Sequence, residues 1–239
     1  MESIVRLIRS IIIYLITALS GTLSVLFGWW KPAYALISRF IWSPGLLKTA
    51  NVKLTVEGTD KVKTLPPCIF YANHRSFYDI PVMMRGIPRP LYFLAKKELK
   101  KIPFLGWGMS AIGMIFIDRS NRTAAIESMK KAGNQIKRGK SIVTFPEGTR
   151  TSSKEMIAFK KGAFHLAKSQ GIPLVPVAII GTEKVLPKHG KLRSGKVKMV
   201  VGDPINTAEI EEMNLESLRD YSKSKLTELL EKTESTKFV

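Results

Sequence analysis

IFYANHRSFYD, residues 69–79, and SIVTFPEGTR, residues 141–150, are built alike: a short, largely apolar run leads straight into a polar turn. Ile69–Ala72 and Ser141–Phe145 show little polar alternation, which predicts strands buried on both faces. Working outward, Lys53–Glu57, Leu91–Leu94, Gly113–Ile117, Leu174–Ile180 and Val197–Val201 read as five further strands. Helical spacing fits Asn121–Arg138, with Ile126, Met129, Ala132 and Ile136 on one face and Gly139 as its stop. It also fits Phe159–Ser169 and Leu215–Lys232, the latter setting Leu215, Leu218, Leu226 and Leu229 against a charged, solvated face. Strands alternating with helices predict an α/β fold: a mixed, largely parallel sheet flanked by helices. Sites in such sheets gather at the carboxyl ends of strands, so the two polar turns are expected to converge on one crevice.

The N-terminus reads differently. Ile11 to Trp30 contains no charged side chain, and as a helix its 20 residues would span about 30 Å, the thickness of a bilayer's hydrocarbon core. Arg6 and Arg9 precede it; Trp29, Trp30 and Lys31 close it as interface anchors do. The run exceeds the roughly 7–15 residues of a signal-peptide core, and Ala18-Leu19-Ser20-Gly21 is a poor cleavage site. A second apolar stretch, Ala33 to Trp42, follows Pro32 and is interrupted by Arg39, a costly residue deep in lipid. Basic residues flank both sides, so the positive-inside rule gives no vote between a single span and two helices embedded in one leaflet. The expected organisation is a hydrophobic helical membrane anchor over 1–48 and an α/β domain over 49–239, with no repeat, low-complexity tract or linker after residue 50.

Charge and cysteine narrow the function classes. The chain has 38 basic and 19 acidic side chains, a formal net charge of +19. That favours a polyanionic neighbour such as an anionic membrane. Nucleic acid is not expected, because no helix-turn-helix, RNP or zinc-finger spacing occurs and the basic segments lack interleaved aromatics. Cys68 is the single cysteine, so no intrachain disulfide forms. The three histidines, His74, His165 and His189, show no metal-ligand spacing, and no metal is expected.

His74 and Asp79 are five residues apart, a step of about 140° on a regular helix, so one helix cannot hold them together. With His74 on a strand-to-helix turn and Asp79 in the following helix they can meet. The carboxylate would then orient one ring nitrogen and leave the other as a base. The protein offers no nucleophile of its own: there is no G-x-S-x-G, Ser76 sits two residues from His74, and Cys68 opens an apolar strand. The attacking hydroxyl is therefore expected from a substrate. In Glu147-Gly148-Thr149-Arg150, Gly148 permits a close turn, Arg150 can grip a phosphate bidentately, and Glu147 can bond a substrate hydroxyl. Arg119 after the fourth strand, and Lys96 or Lys97 after the third, offer further anion contacts.

Four blocks in order, NHRSFYD (73–79), KKELKKIPFLG (96–106) with GMIFIDR (113–119), FPEGTR (145–150) and VPVAI (175–179), resemble the glycerolipid acyltransferases that include the 1-acylglycerol-3-phosphate acyltransferases. The resemblance covers most of the body without departure at the motif positions. It implies His74 as general base in an HX4D motif with Asp79 as its partner. It implies Lys96, Arg119, Glu147, Gly148, Thr149 and Arg150 as the acceptor's site, and associates Pro176 with the acyl side. The reaction so implied moves a fatty acyl group from acyl-CoA or acyl carrier protein to the sn-2 hydroxyl of lysophosphatidic acid, giving phosphatidic acid. No cofactor is implied beyond that thioester co-substrate. The expected location is the cell membrane, monotopic or single-span, with the catalytic domain facing the cytoplasm and anionic membrane lipid as neighbour. Rivals are a glycerol-3-phosphate sn-1 or other lysophospholipid acyltransferase, a phospholipid hydrolase, and a non-catalytic basic lipid-binding module.

Overall fold

The computed structural model describes residues 2–30, 36–118, 121–153 and 155–235. Its centre is a seven-stranded sheet in the order β1-β7-β6-β2-β5-β3-β4. The strands are β1 (Val52–Glu57), β2 (Ile69–Ala72), β3 (Leu91–Lys96), β4 (Ile115–Ile117), β5 (Ser141–Thr144), β6 (Leu174–Ile180) and β7 (Gly195–Val201). Every neighbouring pair is parallel except β6 with β7. The mixed, largely parallel α/β sheet expected from the sequence is what forms. β2, β5 and β6 are buried along their whole length, while edge strand β1 alternates, the difference between a sheet centre covered on both faces and its rim.

The helices are α1 (Glu2–Phe27), α2 (Ser43–Thr49, entered directly from a π-helical turn over Ile37–Trp42), α3 (Asp79–Gly86), α4 (Leu105–Ala111), α5 (Arg122–Lys137), α6 (Gly162–Gln170), α7 (Thr182–Val185), α8 (Thr207–Glu212) and α9 (Leu215–Ser235). α5, α6 and α9 pack together on one side, Phe164 of α6 meeting Tyr71 of β2 edge-on and Leu229 of α9 lying beside Pro176 of β6. α2 and α3 pack on the other, where Gly86 fits against Met199 and Val56. α5 starts where Asn121 caps it, its side chain accepting from the Ala124 amide. Met129, Ala132 and Ile136 turn inward as expected, joined by Ala125 and Ser128, while Ile126, expected on the same face, is half exposed. The departure is confined to the first of the four expected positions, where packing turns Ala125 rather than Ile126 toward the core.

α1 is one long apolar helix, of a length and composition able to cross a membrane. It begins nine residues before the expected start, because Ile4, Val5, Leu7 and Ile8 extend the apolar pattern past Arg6 and Arg9. One side is bare: Ile8, Ile11, Leu15, Leu19 and Leu26 are exposed. The other side docks backbone-to-backbone on α4, since a Cβ on Gly21 would stand 2.3 Å from the Phe104 carbonyl oxygen and one on Gly108 would stand 2.8 Å from Gly21 Cα. Small residues permit that approach, as they do between membrane helices. Of the second apolar stretch, 33–35 lie outside the described residues. Arg39 turns toward the domain and donates to the Ile87 carbonyl.

Replacing Gly21 or Gly108 by Val should cost about 1–3 kcal/mol by overpacking this crossing. A lower thermal unfolding midpoint in detergent would register it; an unchanged midpoint would mean that α1 is not docked on α4 in solution.

Candidate active site

The loops after β2, β5 and β6 and the end of β3 meet at one end of the sheet. Asn73, the first residue past β2, fixes where that strand stops. Its side-chain amide donates to the Ile179 carbonyl at 2.8 Å and accepts from the Ile179 amide at 2.9 Å, continuing the β6 ladder with a side chain in place of backbone. The chain can therefore turn at His74 without orphaning β6's buried groups.

His74 and Asp79 do meet: Nδ1 lies 2.8 Å from Oδ2. A carboxylate only accepts, so Nδ1 is the donor, and in the neutral ring Nε2 carries the lone pair. Asp79 has no exposed surface and opens α3. The turn before it wraps round the carboxylate, with the amides of Arg75 and Ser76 each donating to Oδ2 at 2.9 Å. Successive amides of this kind form an anion nest. The remaining oxygen, Oδ1, accepts from the Thr182 hydroxyl at the start of α7, itself fully buried. Phe145 lies under the imidazole, ring planes 13° apart and centroids 4.0 Å apart.

The turn after β5 divides its labour. Gly148 adopts φ +76°, where a Cβ would meet the Lys160 side chain at 2.6 Å. Thr149 and Arg150 line the same cavity as His74, Gly148 and Lys96. Arg150 makes no hydrogen bond or ion pair among the described residues, and Lys96 has only a 3.5 Å contact with Glu98. Glu147 is different. It is 2 % exposed, and one oxygen accepts from the His74 amide at 2.9 Å while the other accepts from the Thr151 hydroxyl at 3.2 Å. The Thr151 amide returns a hydrogen bond to the His74 carbonyl at 2.9 Å. The expectation that Glu147 bonds a substrate hydroxyl thus meets a carboxylate already occupied in locking the β5 turn to His74. Lys97 pairs with Asp118, and Arg119 lies outside the described residues.

The cavity holds about 450 Å³, within the usual range for small-molecule sites. Its polar mouth is His74, Lys96, Thr149 and Arg150. Beyond it the lining is apolar, running between Phe93 and Leu94 of β3, Phe104 and Met109 about α4, and Met84 of α3. Thr17, Ser20, Gly21 and Ser24 complete the wall, so the apolar N-terminal helix is part of the cavity. Cys68 is fully buried, and burial pushes its thiol up to about 11, the opposite of what a nucleophile needs. Among the described residues no cluster of three or more His, Cys, Asp or Glu could hold a metal.

Thr182, Thr151 and Phe145 escaped the sequence reading. Thr182 was reachable in principle, being two residues past β6 as His74 is two past β2. Nothing in its own neighbourhood says that it faces a carboxylate 103 residues earlier.

The pattern of the family described as Acyltransferase matches residues 53–180, more than half of the chain. A 1-acyl-sn-glycerol-3-phosphate acyltransferase of Saccharomyces cerevisiae is 40% identical over 171 residues, 68% of this chain and 56% of its own length. One of Brassica napus, a chloroplastic protein, is 33% identical over 64% of this chain and 45% of its own. The chain thus spans about half the length of these relatives. The Escherichia coli protein of the same name is 28% identical over 92% of this chain and 90% of its own. In fold, the crystal structure of the 1-acyl-sn-glycerophosphate (LPA) acyltransferase PlsC from Thermotoga maritima matches with a TM-score of 0.84 and 24% identity over the whole of both chains.

Glu147→Ala should leave the His74 amide without its acceptor and lower unfolding stability in urea by about 1–3 kcal/mol. Glu147→Gln, which keeps a carbonyl oxygen for that amide, should retain most of it. Equal stability for both variants and the parent would remove Glu147 from this role.

Proposed function

The chain belongs to the acyltransferase family, and on that premise we propose that it acylates the sn-2 hydroxyl of 1-acyl-glycerol-3-phosphate from an acyl thioester, giving phosphatidic acid. The observation that carries this reading is the His74–Asp79 pair, its carboxylate fully buried, at the mouth of a largely apolar cavity, with Arg150 and Lys96 at the same mouth. A base that lines such a cavity suits a reaction whose hydroxyl arrives with the substrate.

In this mechanism the acceptor's phosphate rests on Arg150 and Lys96, joined by Arg119 as the family resemblance implies. Gly148 and Thr149 shape the turn that holds its glycerol. The free hydroxyl lies against His74 Nε2 and the thioester carbonyl against that oxygen. His74 takes the hydroxyl proton as the oxygen attacks, the C–S bond breaks as the tetrahedral oxyanion collapses, and imidazolium returns the proton to the thiolate. General-base action of this kind is worth about 10²–10⁴ in rate. Anchoring the phosphate aims the hydroxyl, and well-oriented reactants reach effective molarities of about 10⁵–10⁸ M. Asp79 and Thr182 hold the ring in register, Glu147 holds its backbone, and the apolar cavity takes the fatty chain.

Membrane attachment belongs to the same reading. The bare face of α1 continues through the aromatic contacts Tyr14–Phe104 and Phe104–Trp107 onto exposed Ile102 and Trp107, beside exposed Lys100 and Lys101. That surface suits anionic lipid and would set the cavity mouth at the cytoplasmic face of the cell membrane.

His74→Ala should abolish thiol release from palmitoyl-CoA in micelles containing lysophosphatidic acid while lipid binding persists. Residual turnover within tenfold of the parent would sink the base assignment; silence of the parent with every thioester and acceptor would favour a lipid-binding module. Arg150→Ala should raise the acceptor's KM by about tenfold or more, the worth of a charged hydrogen bond, and leave the donor's KM unchanged. Thr182→Val should lower kcat by about tenfold with KM little changed, and Thr182→Ser should restore it. A Ser variant as slow as Val would show that Thr182 acts by packing.

A further inference from the structure

The connection from β6 to β7, with the first residues of β7, is strongly cationic. Lys184, Lys188, Lys191, Arg193 and Lys196 share 15 residues, 182–196, with one carboxylate, Glu183. That carboxylate is turned back onto the Gly181 amide at 3.1 Å. Lys184, Lys191, Arg193 and Lys196 are exposed, and none of the five cations has a side-chain partner among the described residues. Lys196 is also paired across the strands with Lys53, another exposed cation. Like charges facing one another on neighbouring strands repel, and an anion between them turns that cost into a gain.

This basic loop is built into the site. Thr182 at its start holds Asp79, and the Leu186 carbonyl accepts from the Ser76 hydroxyl at 2.8 Å. Its own backbone is cross-tied, Leu186 N–H to the Thr182 carbonyl at 2.9 Å and Arg193 N–H to the Val185 carbonyl at 2.8 Å. The apolar cavity and Arg150 lie on the β5–β3 side of His74; the loop flanks His74 on the β6 side. A thioester with its chain in the cavity and its carbonyl at His74 must send its head group elsewhere, and the β6 side is the cationic one.

Resting on the acyl-thioester reading above, we infer that the loop 182–196 binds the phosphates of coenzyme A, through Lys184, Lys191, Arg193 and Lys196 with Lys53 beside them. A phosphate-rich nucleotide fits better than a carrier protein. Protein interfaces have an apolar centre, and among the described residues no large apolar side chain is exposed on this loop. Clustered lysines and an arginine answer to compact polyanionic charge.

The test is equilibrium dialysis of coenzyme A against the full-length protein in micelles, for the parent, for Lys191→Glu/Arg193→Glu/Lys196→Glu, and for the corresponding triple Gln variant. The Glu variant should bind at least about tenfold more weakly and the Gln variant fall between. Added salt should weaken the parent most. Turnover of S-palmitoyl-N-acetylcysteamine, a thioester without phosphates, should be the same in all three, which also shows that the variants fold. Unchanged coenzyme A binding in the Glu variant, or equal loss with the phosphate-free thioester, would overturn the inference. So would loss confined to acyl carrier protein as donor. A parent that binds coenzyme A but transfers no acyl group would sink the proposed reaction while leaving the dialysis to decide the loop.

Discussion

Everything at the site hangs on one buried carboxylate. Asp79 has no exposed surface, and a charge without water is tolerable only when donors replace the lost hydration. Four donors do so: the His74 ring, two consecutive amides of its own turn, and the hydroxyl of Thr182 from the far side of β6. Three of them converge on Oδ2 and one on Oδ1, against about two lone-pair directions for each oxygen, so Oδ2 is fully used. The turn 73–78, the start of α3 and the start of α7 are thereby tied to one point, and the imidazole is held in one tautomer without any direct hold on Nε2.

A second constraint works through the backbone. His74 is gripped by Glu147, whose carboxylate spans the His74 amide and the Thr151 hydroxyl, and by Thr151, whose amide returns to the His74 carbonyl. The two polar turns therefore move as one. Arg150 stays unpaired among the described residues, and Lys96 held only by its 3.5 Å contact with Glu98, at the cavity mouth because their neighbours carry the structural work. Buried groups hold position and half-exposed ones are left to meet a ligand, which is how a rigid scaffold keeps a charged site open.

The N-terminal helix joins the apolar outside to the apolar inside. Its bare face has no partner among the described residues, while its glycine and serine face closes the cavity against α4. A chain entering from lipid would meet the same helix outside and in. A helix that also forms the cavity wall explains why Gly21 and Gly108 approach so closely: any side chain there would push the wall away.

All seven strands, their largely parallel arrangement and the helices α5, α6 and α9 were legible in the residues, because burial on two faces leaves uninterrupted apolar runs and helices leave a 3.6-residue rhythm. His74, Asp79, Gly148 and Arg150 were legible as candidates, since a histidine with a nearby carboxylate and a guanidinium on a glycine turn are recognisable in sequence. Ile126 shows the limit of periodicity, which fixes a face only to within a residue. Glu147 and Thr182 show a deeper one. Whether a carboxylate faces solvent or a backbone amide, and which hydroxyl completes a buried dyad, are matters of contact between segments about 70 and 100 residues apart in the chain. The sequence by itself determined the strands, the apolar helix and the pairing of a histidine with a carboxylate; only tertiary structure decided which polar groups were buried as supports and which were left exposed, because burial is a property of what packs over a residue and not of the residue.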